Sequence, residues 1–220
     1  MDLIQLPCGQ WVIAQDAVLT KKALAQNDIV IELELRDLPA VRRLGRGDVV
    51  ADVGSFTGDT AIIFVEQGCD VWAFEPYADA FECLRRNCPG AHCLNVAVGD
   101  GRGMKTVELD PEKKGENYGM RKVYDGGPPT IRLDDLNLPR LDFIKIDVEG
   151  FEPPVMDGAK ETIRRCRPVL YVEVFDPALE HHGFGRQDIY DRLRDFGYSW
   201  TVIGDEARDW YNLLGTPCRR

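Results

Sequence analysis

The chain has 220 residues, 44% of them hydrophobic, with 27 Lys plus Arg against 37 Asp plus Glu and a formal net charge of −10 at pH 7. That length can bury one full core but would leave two independent halves small, so a single domain over residues 1–220 is expected. The acidic balance disfavours a phosphate backbone as the main partner, so nucleic acid is not the expected ligand.

The seven cysteines (Cys8, Cys69, Cys83, Cys88, Cys93, Cys166 and Cys218) are odd in number and lie mostly inside apparent strands and helices. That pattern suits reduced thiols in a cytoplasmic protein. Cys83, Cys88, His92 and Cys93 come close together, but no CxxC pair occurs and Pro89-Gly90 interrupts the segment; they read as small buried hydrophobes rather than a zinc set. The opening MDLIQLPCGQWVIAQD lacks a basic region followed by a long apolar one. No run of about 18 apolar residues occurs, so no membrane span is expected.

Residues 1–46 form a lead-in in which QWVIAQ reads as a strand and AVRRLGRGD runs up to the first parallel strand. From residue 47, short β-branched runs alternate with helical patterns, the signature of βαβ units and a mostly parallel sheet. The strand-like runs are VVADV (49–53), DVWAFE (70–75), AHCLNVA (91–97), DFIKID (142–147) and VLYVEVF (169–175). Thr57 or Asp59 is placed to cap a helix through AIIFVEQ, and a second helix runs from Ala78 to Asn87. A third starts near Pro153-Pro154, where missing amide hydrogens cost least, and continues to about Arg165. A fourth, Gln187 to Phe196, ends at Gly197 and precedes YSWTVIG (198–204) and DWYNLLG (209–215), a terminal antiparallel hairpin. Residues 98–141 break the alternation and read as an insertion near the site, with Asn117-Tyr118-Gly119 at its centre. Residues 47–175 thus make the cofactor-binding core, and 176–220 add a helix and hairpin. The sequence carries no signal for oligomeric state.

In open α/β sheets ligands lie at the carboxyl ends of the strands, where the strand order reverses. After VVADV the chain enters Gly54-Ser55-Phe56-Thr57-Gly58, whose glycines permit close backbone approach to a ligand. Phe56 fills the place where a dinucleotide loop needs a second glycine. The second strand ends at Glu75, where a carboxylate can accept from both hydroxyls of an adenosine ribose. Asp52 and Asp59 flank the glycine turn, and a cationic sulfonium tolerates that company better than a pyrophosphate does.

The segments DVGSFTGDTA (52–61), AFEP (73–76), NVAVGD (95–100), IRLDDL (131–136), DFIKIDVEGFE (142–152), GA (158–159) and RPVLYVE (167–173) follow in an order that resembles the FkbM-type family of S-adenosylmethionine-dependent methyltransferases. DFIKIDVEGFE is the most diagnostic of them. The resemblance implies a Rossmann-like methyltransferase α/β fold, with a mostly parallel seven-stranded sheet, a terminal antiparallel hairpin and helices on both faces. It also implies O-methylation of a hydroxyl on a sugar, glycan or related natural product, with S-adenosylmethionine as cofactor and a small-molecule or glycan acceptor as partner. Asp52, Gly54 and Gly58 match the turn around the methionine end, with Ser55 and Phe56 inside it where the family commonly has Ala-Asn. Glu75, followed by Pro76, matches the ribose acid; Asn95, Val96 and Ala97 match the adenine edge; and Asp147 matches the acid beside the transferable methyl.

Lys145, Asp147 and Glu149 lie two residues apart at the end of the fourth strand and are the leading catalytic candidates, with His181 as a further base. Lysine in a strand buried on both faces requires an ionic partner, and Glu173 on the next strand is the expected one. His182 adjoins His181. Asp147 with Glu149 could also hold a divalent cation that orients a diol, although two carboxylates alone do not identify a metal site. Two rival readings stay open: a ribose 2′-O-methyltransferase of RNA, suggested by Lys145, Asp147 and Glu173 but disfavoured by the net charge, and a catalytically inactive cofactor-binding module.

Overall fold

The computed structural model describes residues 2–14, 16, 33–101, 104–109 and 121–218. At the amino end β1 (Leu3–Gln5) pairs antiparallel with β2 (Trp11–Ile13), and a short helix α1 (Leu33–Asp37) leads towards the main sheet. There the chain alternates through β3 (Val49–Val53), α2 (Ala61–Glu66), β4 (Asp70–Phe74), α3 (Ala78–Asn87) and β5 (His92–Leu94). Next come β6 (Ala97–Val98), β7 (Met104–Leu109), β8 (Arg121–Ile131) and β9 (Phe143–Ile146), then α4 (Glu152–Gly158), α5 (Lys160–Cys166) and β10 (Val169–Phe175). Helices α6 (Asp176–His181) and α7 (Arg186–Asp195) precede the hairpin of β11 (Tyr198–Ile203) and β12 (Trp210–Pro217).

The seven-stranded sheet has the order β11-β12-β10-β9-β3-β4-β5. β12 runs antiparallel to β10 and β11, whereas the pairs among β10, β9, β3, β4 and β5 are parallel. Strand alternation sorts the side chains onto two buried faces. Ala51, Val53, Ile144, Ile146 and Val172 pack under α4, α5 and α7 through Val155, Met156, Ile163, Ile189 and Leu193. Val50, Val71, Ala73, Phe143 and Tyr171 pack under α2 and α3 through Phe64 and Leu84. β3 to β5 fill one side of β3, and the chain then returns to place β9 on the other. The strand order therefore reverses between β3 and β9, and this positions the ligand crevice at their carboxyl ends.

Three local expectations need correction. AHCLNVA is not one strand: it breaks at Asn95-Val96, β5 stays in the main sheet, and β6 joins a three-stranded sheet of order β6-β8-β7. Neither Thr57 nor Asp59 caps α2; Thr60 holds the N-cap position and turns its hydroxyl to Asp52 Oδ2 at 2.7 Å instead. The helix expected from Pro153 to Arg165 is two helices, broken at Ala159. Two tertiary contacts cause the break. Gly158 presses against the Gly99 backbone so closely that a Cβ would overlap the Gly99 carbonyl. The Asp134 carboxylate accepts the Thr162 and Glu161 amides at 2.8 and 3.2 Å, giving α5 its own start. β7 and β8 give the insertion its own antiparallel pair, while Asn117-Tyr118-Gly119 lies outside the described residues.

Gly158→Ala should therefore lower stability by about 1–3 kcal/mol, because neither backbone can yield without moving α4 or the loop before β7. Urea unfolding followed by circular dichroism measures it, and a midpoint equal to that of the wild type would refute the packing argument.

Candidate active site

The turn after β3 is set by its backbone. Gly54 adopts φ 82° and Gly58 φ 95°, both in the left-handed region. A Cβ on Gly54 would overlap the Asp147 carbonyl, so glycine is what lets the β3 turn meet the end of β9. Ser55 is buried and donates its hydroxyl to the Asp52 carbonyl at 2.8 Å. Phe56 takes φ 45°, an uncommon conformation for a residue with a Cβ. Its ring packs among Leu6, Val12, Ile13, Ala80 and Cys83, so the residue anchors the amino-terminal hairpin to the turn.

Asp52 lies beneath this turn rather than on its surface. Its carboxylate is fully buried, accepts from Thr60, and stands 3.7 Å from the Lys145 ammonium. Burial pushes its pKa up, and Lys145 and Thr60 oppose that rise. Lys145, 3% exposed, also meets Asp147 Oδ2 at 3.0 Å and donates to the Gly54 carbonyl at 3.0 Å. The ion pair expected with Glu173 is thus made with Asp147 and Asp52. The reason is register: Lys145 lies directly beside Asp52 on β3 and beside Tyr171 on β10. Asp59, next to the turn, is pushed up to about 6 by desolvation.

Beyond β9 the ladder extends one step, with the Asp147 amide donating to the Val53 carbonyl at 3.1 Å. The chain then turns sharply, Glu149 at φ 55° and Gly150 at φ 93°. A Cβ on Gly150 would overlap the Ala178 carbonyl, so the turn is wedged against α6. Glu152, fully buried, reaches back to accept the Val148 and Gly150 amides at 3.0 and 3.1 Å. Burial raises it to about 7. Glu173 accepts the Trp210 indole N–H at 2.7 Å, and burial together with Asp147, Glu149 and Glu152 pushes its carboxyl well above the usual carboxylate range.

At the end of β4 the Glu75 carboxylate accepts the Phe56 amide at 2.9 Å and the Tyr77 amide at 2.8 Å. Asn95 is exposed and donates its side-chain amide to the Glu75 carbonyl at 2.8 Å; Pro76 and Val96 are half-buried beside it, and Ala97 is buried in β6. The structure therefore brings Gly54, Phe56, Glu75 and Asn95 into one strand-end edge, with Asp147 and Glu149 on the neighbouring turn. His181 closes α6, the helix packed against the Gly150 turn, is exposed, and meets His182 edge-on at 5.2 Å between ring centroids. His182 in turn meets Phe151 edge-on at 5.6 Å.

Among the described residues no cluster of three or more His, Cys, Asp or Glu side chains is arranged to hold a metal ion. Cys83 and Cys88 are buried with their thiols pushed up by desolvation, and His92 instead pairs with Asp70 at 2.9 Å.

The Methyltransferase FkbM domain model matches residues 48–200, which contain the whole strand-end site. The chain belongs to the FkbM methyltransferase family. It is 30% identical over 178 residues to the hexuronic acid methyltransferase AglP of Haloferax volcanii, covering 76% of this chain and 70% of the relative. The solved FkbM methyltransferase of Methylobacillus flagellatus KT superposes with a TM-score of 0.54 at 18% identity, over 79% of this chain and 44% of that one. This FkbM chain therefore spans less than half the length of that protein. A TehB-like SAM-dependent methyltransferase of Corynebacterium glutamicum superposes with a TM-score of 0.53 at 12% identity, covering 90% and 94% of the two chains. These likenesses establish the Rossmann-like methyltransferase fold.

The methyl donor of this FkbM protein is S-adenosylmethionine, and its strand-end residues fit that cofactor. Gly54 and Gly58, both at positive φ, let the turn pack directly on the Asp147 carbonyl and on Leu84 and Cys88, which a Cβ at either position would prevent, so backbone rather than side chain forms this edge of the site. The Glu75 carboxylate, fixed by the Phe56 and Tyr77 amides at the end of β4, is an acceptor of the kind that ribose hydroxyls require. The sequence did not assign roles to Thr60, Glu152 or Trp210. For Glu152 a signal was present: an acid two residues after Gly150 and just before Pro153-Pro154 is near enough to accept the amides of that turn.

Because the native state holds the Glu152 proton more tightly than the unfolded chain does, its stabilising contribution is full below about pH 4.5 and is lost as pH rises through about 7. Glu152→Gln keeps an acceptor for the Val148 and Gly150 amides but cannot ionise. Between about pH 5 and pH 8 its unfolding free energy should fall by about 2 kcal/mol less than that of the wild type. Parallel pH-dependent urea titrations measure the difference, and identical slopes would refute the assignment.

Proposed function

We propose that this FkbM protein is an O-methyltransferase that methylates a hydroxyl of a sugar, glycan or related natural product, working as a single cytoplasmic domain. The observation that carries this reading is the contact between the Gly54 turn and the Asp147 turn at the point where strand order reverses. The first turn would hold the methyl donor, and the acid of the second would then face its reactive end. The Haloferax relative, a hexuronic acid methyltransferase, supports a carbohydrate acceptor. All seven cysteines are free, which supports a reducing compartment, and among the described residues no helix is long and apolar enough to cross a membrane.

Bound S-adenosylmethionine supplies an electrophilic methyl group on a sulfonium. The protein's own tasks are positional first, since in-line displacement requires the acceptor oxygen held roughly 3 Å from the methyl carbon. In this reading Glu75 and Asn95 fix the adenosine side, and the Gly54–Gly58 backbone seats the methionine side. Asp147 accepts the hydrogen of the acceptor hydroxyl and takes its proton. Lys145 holds Asp147 in place rather than meeting substrate, because its ammonium is buried between Asp52, Asp147 and the Gly54 carbonyl. Asp147 is preferred to His181 as the base because Lys145 and the wedged turn fix its position. Glu149 then borders the acceptor side of the same turn. The RNA reading loses its main support here, since Lys145 is committed to its two acids.

Glu75→Ala should weaken S-adenosylmethionine binding about 10- to 100-fold, the effect of losing hydrogen bonds to a charged group. Asp147→Asn should lower kcat about a hundredfold or more with a much smaller change in cofactor affinity. Isothermal titration and single-turnover methyl transfer separate the two; unchanged turnover in Asp147→Asn removes it as the base, and binding of NAD in place of S-adenosylmethionine removes the whole reading.

A further inference from the structure

Trp210 opens β12 with 58% of its surface exposed, an unusual place for an indole. Its position relative to the site follows from register. Glu173 lies beside Asn212, and Phe175 beside Trp210, while on the other edge of β10 Tyr171 lies beside Lys145. Alternation therefore puts Lys145, Glu173, Asn212 and Trp210 on one face of the sheet, with Trp210 nearest the carboxyl edge of β10. Only β10 separates β12 from β9, so Trp210 stands two strand spacings, about 10 Å, from the strand that carries Asp147.

The ring is also held. Its N–H donates to Glu173 Oε1 at 2.7 Å, and Glu173 is itself only 9% exposed. Glu173 Oε2 has no hydrogen-bond partner among the described residues. An aromatic plane fixed before binding loses little entropy on contact, and it offers the apolar face of a pyranose a large flat surface.

We propose that Trp210 is the platform on which a pyranose ring of the acceptor stacks, with Glu173 as the positioning residue that fixes its plane. The inference rests on the sugar-hydroxyl reading above. It assigns the acceptor side of the crevice to β10 and β12, opposite the cofactor side at β3 and β4.

The test uses the full chain, labelled S-adenosylmethionine and a panel of methyl pyranosides, and takes forward the sugar that the wild type methylates. Trp210→Ala should raise KM for that sugar about tenfold, with kcat and cofactor Kd within about twofold of wild type. Trp210→Phe, which keeps a flat ring, should recover most of the loss. The sugar should also perturb tryptophan fluorescence in the wild type and not in Trp210→Phe. An unchanged KM in Trp210→Ala, with methyl transfer intact, overturns the platform alone. Cofactor binding without methylation of any pyranoside overturns the sugar reading, and the platform with it.

Discussion

A lysine ammonium buried between two strands must find anions, and the site is organised around where Lys145 finds them. Removing a charge of this size from water costs several kcal/mol, offset only by close, well-directed partners. Asp147 at 3.0 Å, Asp52 at 3.7 Å and the Gly54 carbonyl at 3.0 Å supply them. Two of these groups belong to β3 and its turn and the third to the end of β9. The ion cluster therefore spans the line where strand order reverses and sets the spacing of the two turns. Removing the ammonium would leave Asp52 as an uncompensated buried charge, a loss of about 3–5 kcal/mol.

The acids on the far side of Asp147 are arranged differently. Glu152 and Glu173 are buried without a cation among the contacts described for them, and both titrate upward. Each uses one oxygen well, Glu152 on the Val148 and Gly150 amides and Glu173 on the Trp210 indole. Neither second oxygen has a hydrogen-bond partner among the described residues. Such groups reduce stability at neutral pH, which is expected where a fold retains polar side chains for a ligand. The turn after β3, by contrast, is built mainly from backbone, with Glu75 locking the Phe56 and Tyr77 amides.

Strand periods and turn chemistry made the sheet legible from sequence, along with the Gly54–Gly58 turn, the ends of β4 and β9, and the terminal hairpin. These depend on local pattern and on one topological rule. Lateral neighbours were not legible. The partner of Lys145 depended on register: β9 lies between β10 and β3, and the sequence pointed to Glu173 on β10, whereas the pairing sets Asp52 directly beside the lysine. Trp210 escaped notice because its link to Glu173, a residue 37 positions earlier, exists only through antiparallel pairing. The break at Ala159 was hidden for the same reason, since Gly99 and Asp134 come from distant segments. Sequence placed Phe56 inside the glycine turn, but not that its ring packs on the amino-terminal hairpin while its amide donates to Glu75.

The decisive measurement is mass spectrometry of a hydroxylated glycan incubated with the protein and isotopically labelled S-adenosylmethionine, followed by fragmentation to locate the label. The arrangement of the two turns predicts one labelled methyl group on a ring hydroxyl oxygen of the sugar. Labelled methyl found on nitrogen or carbon, or a bound cofactor that never yields a methylated sugar, would contradict it.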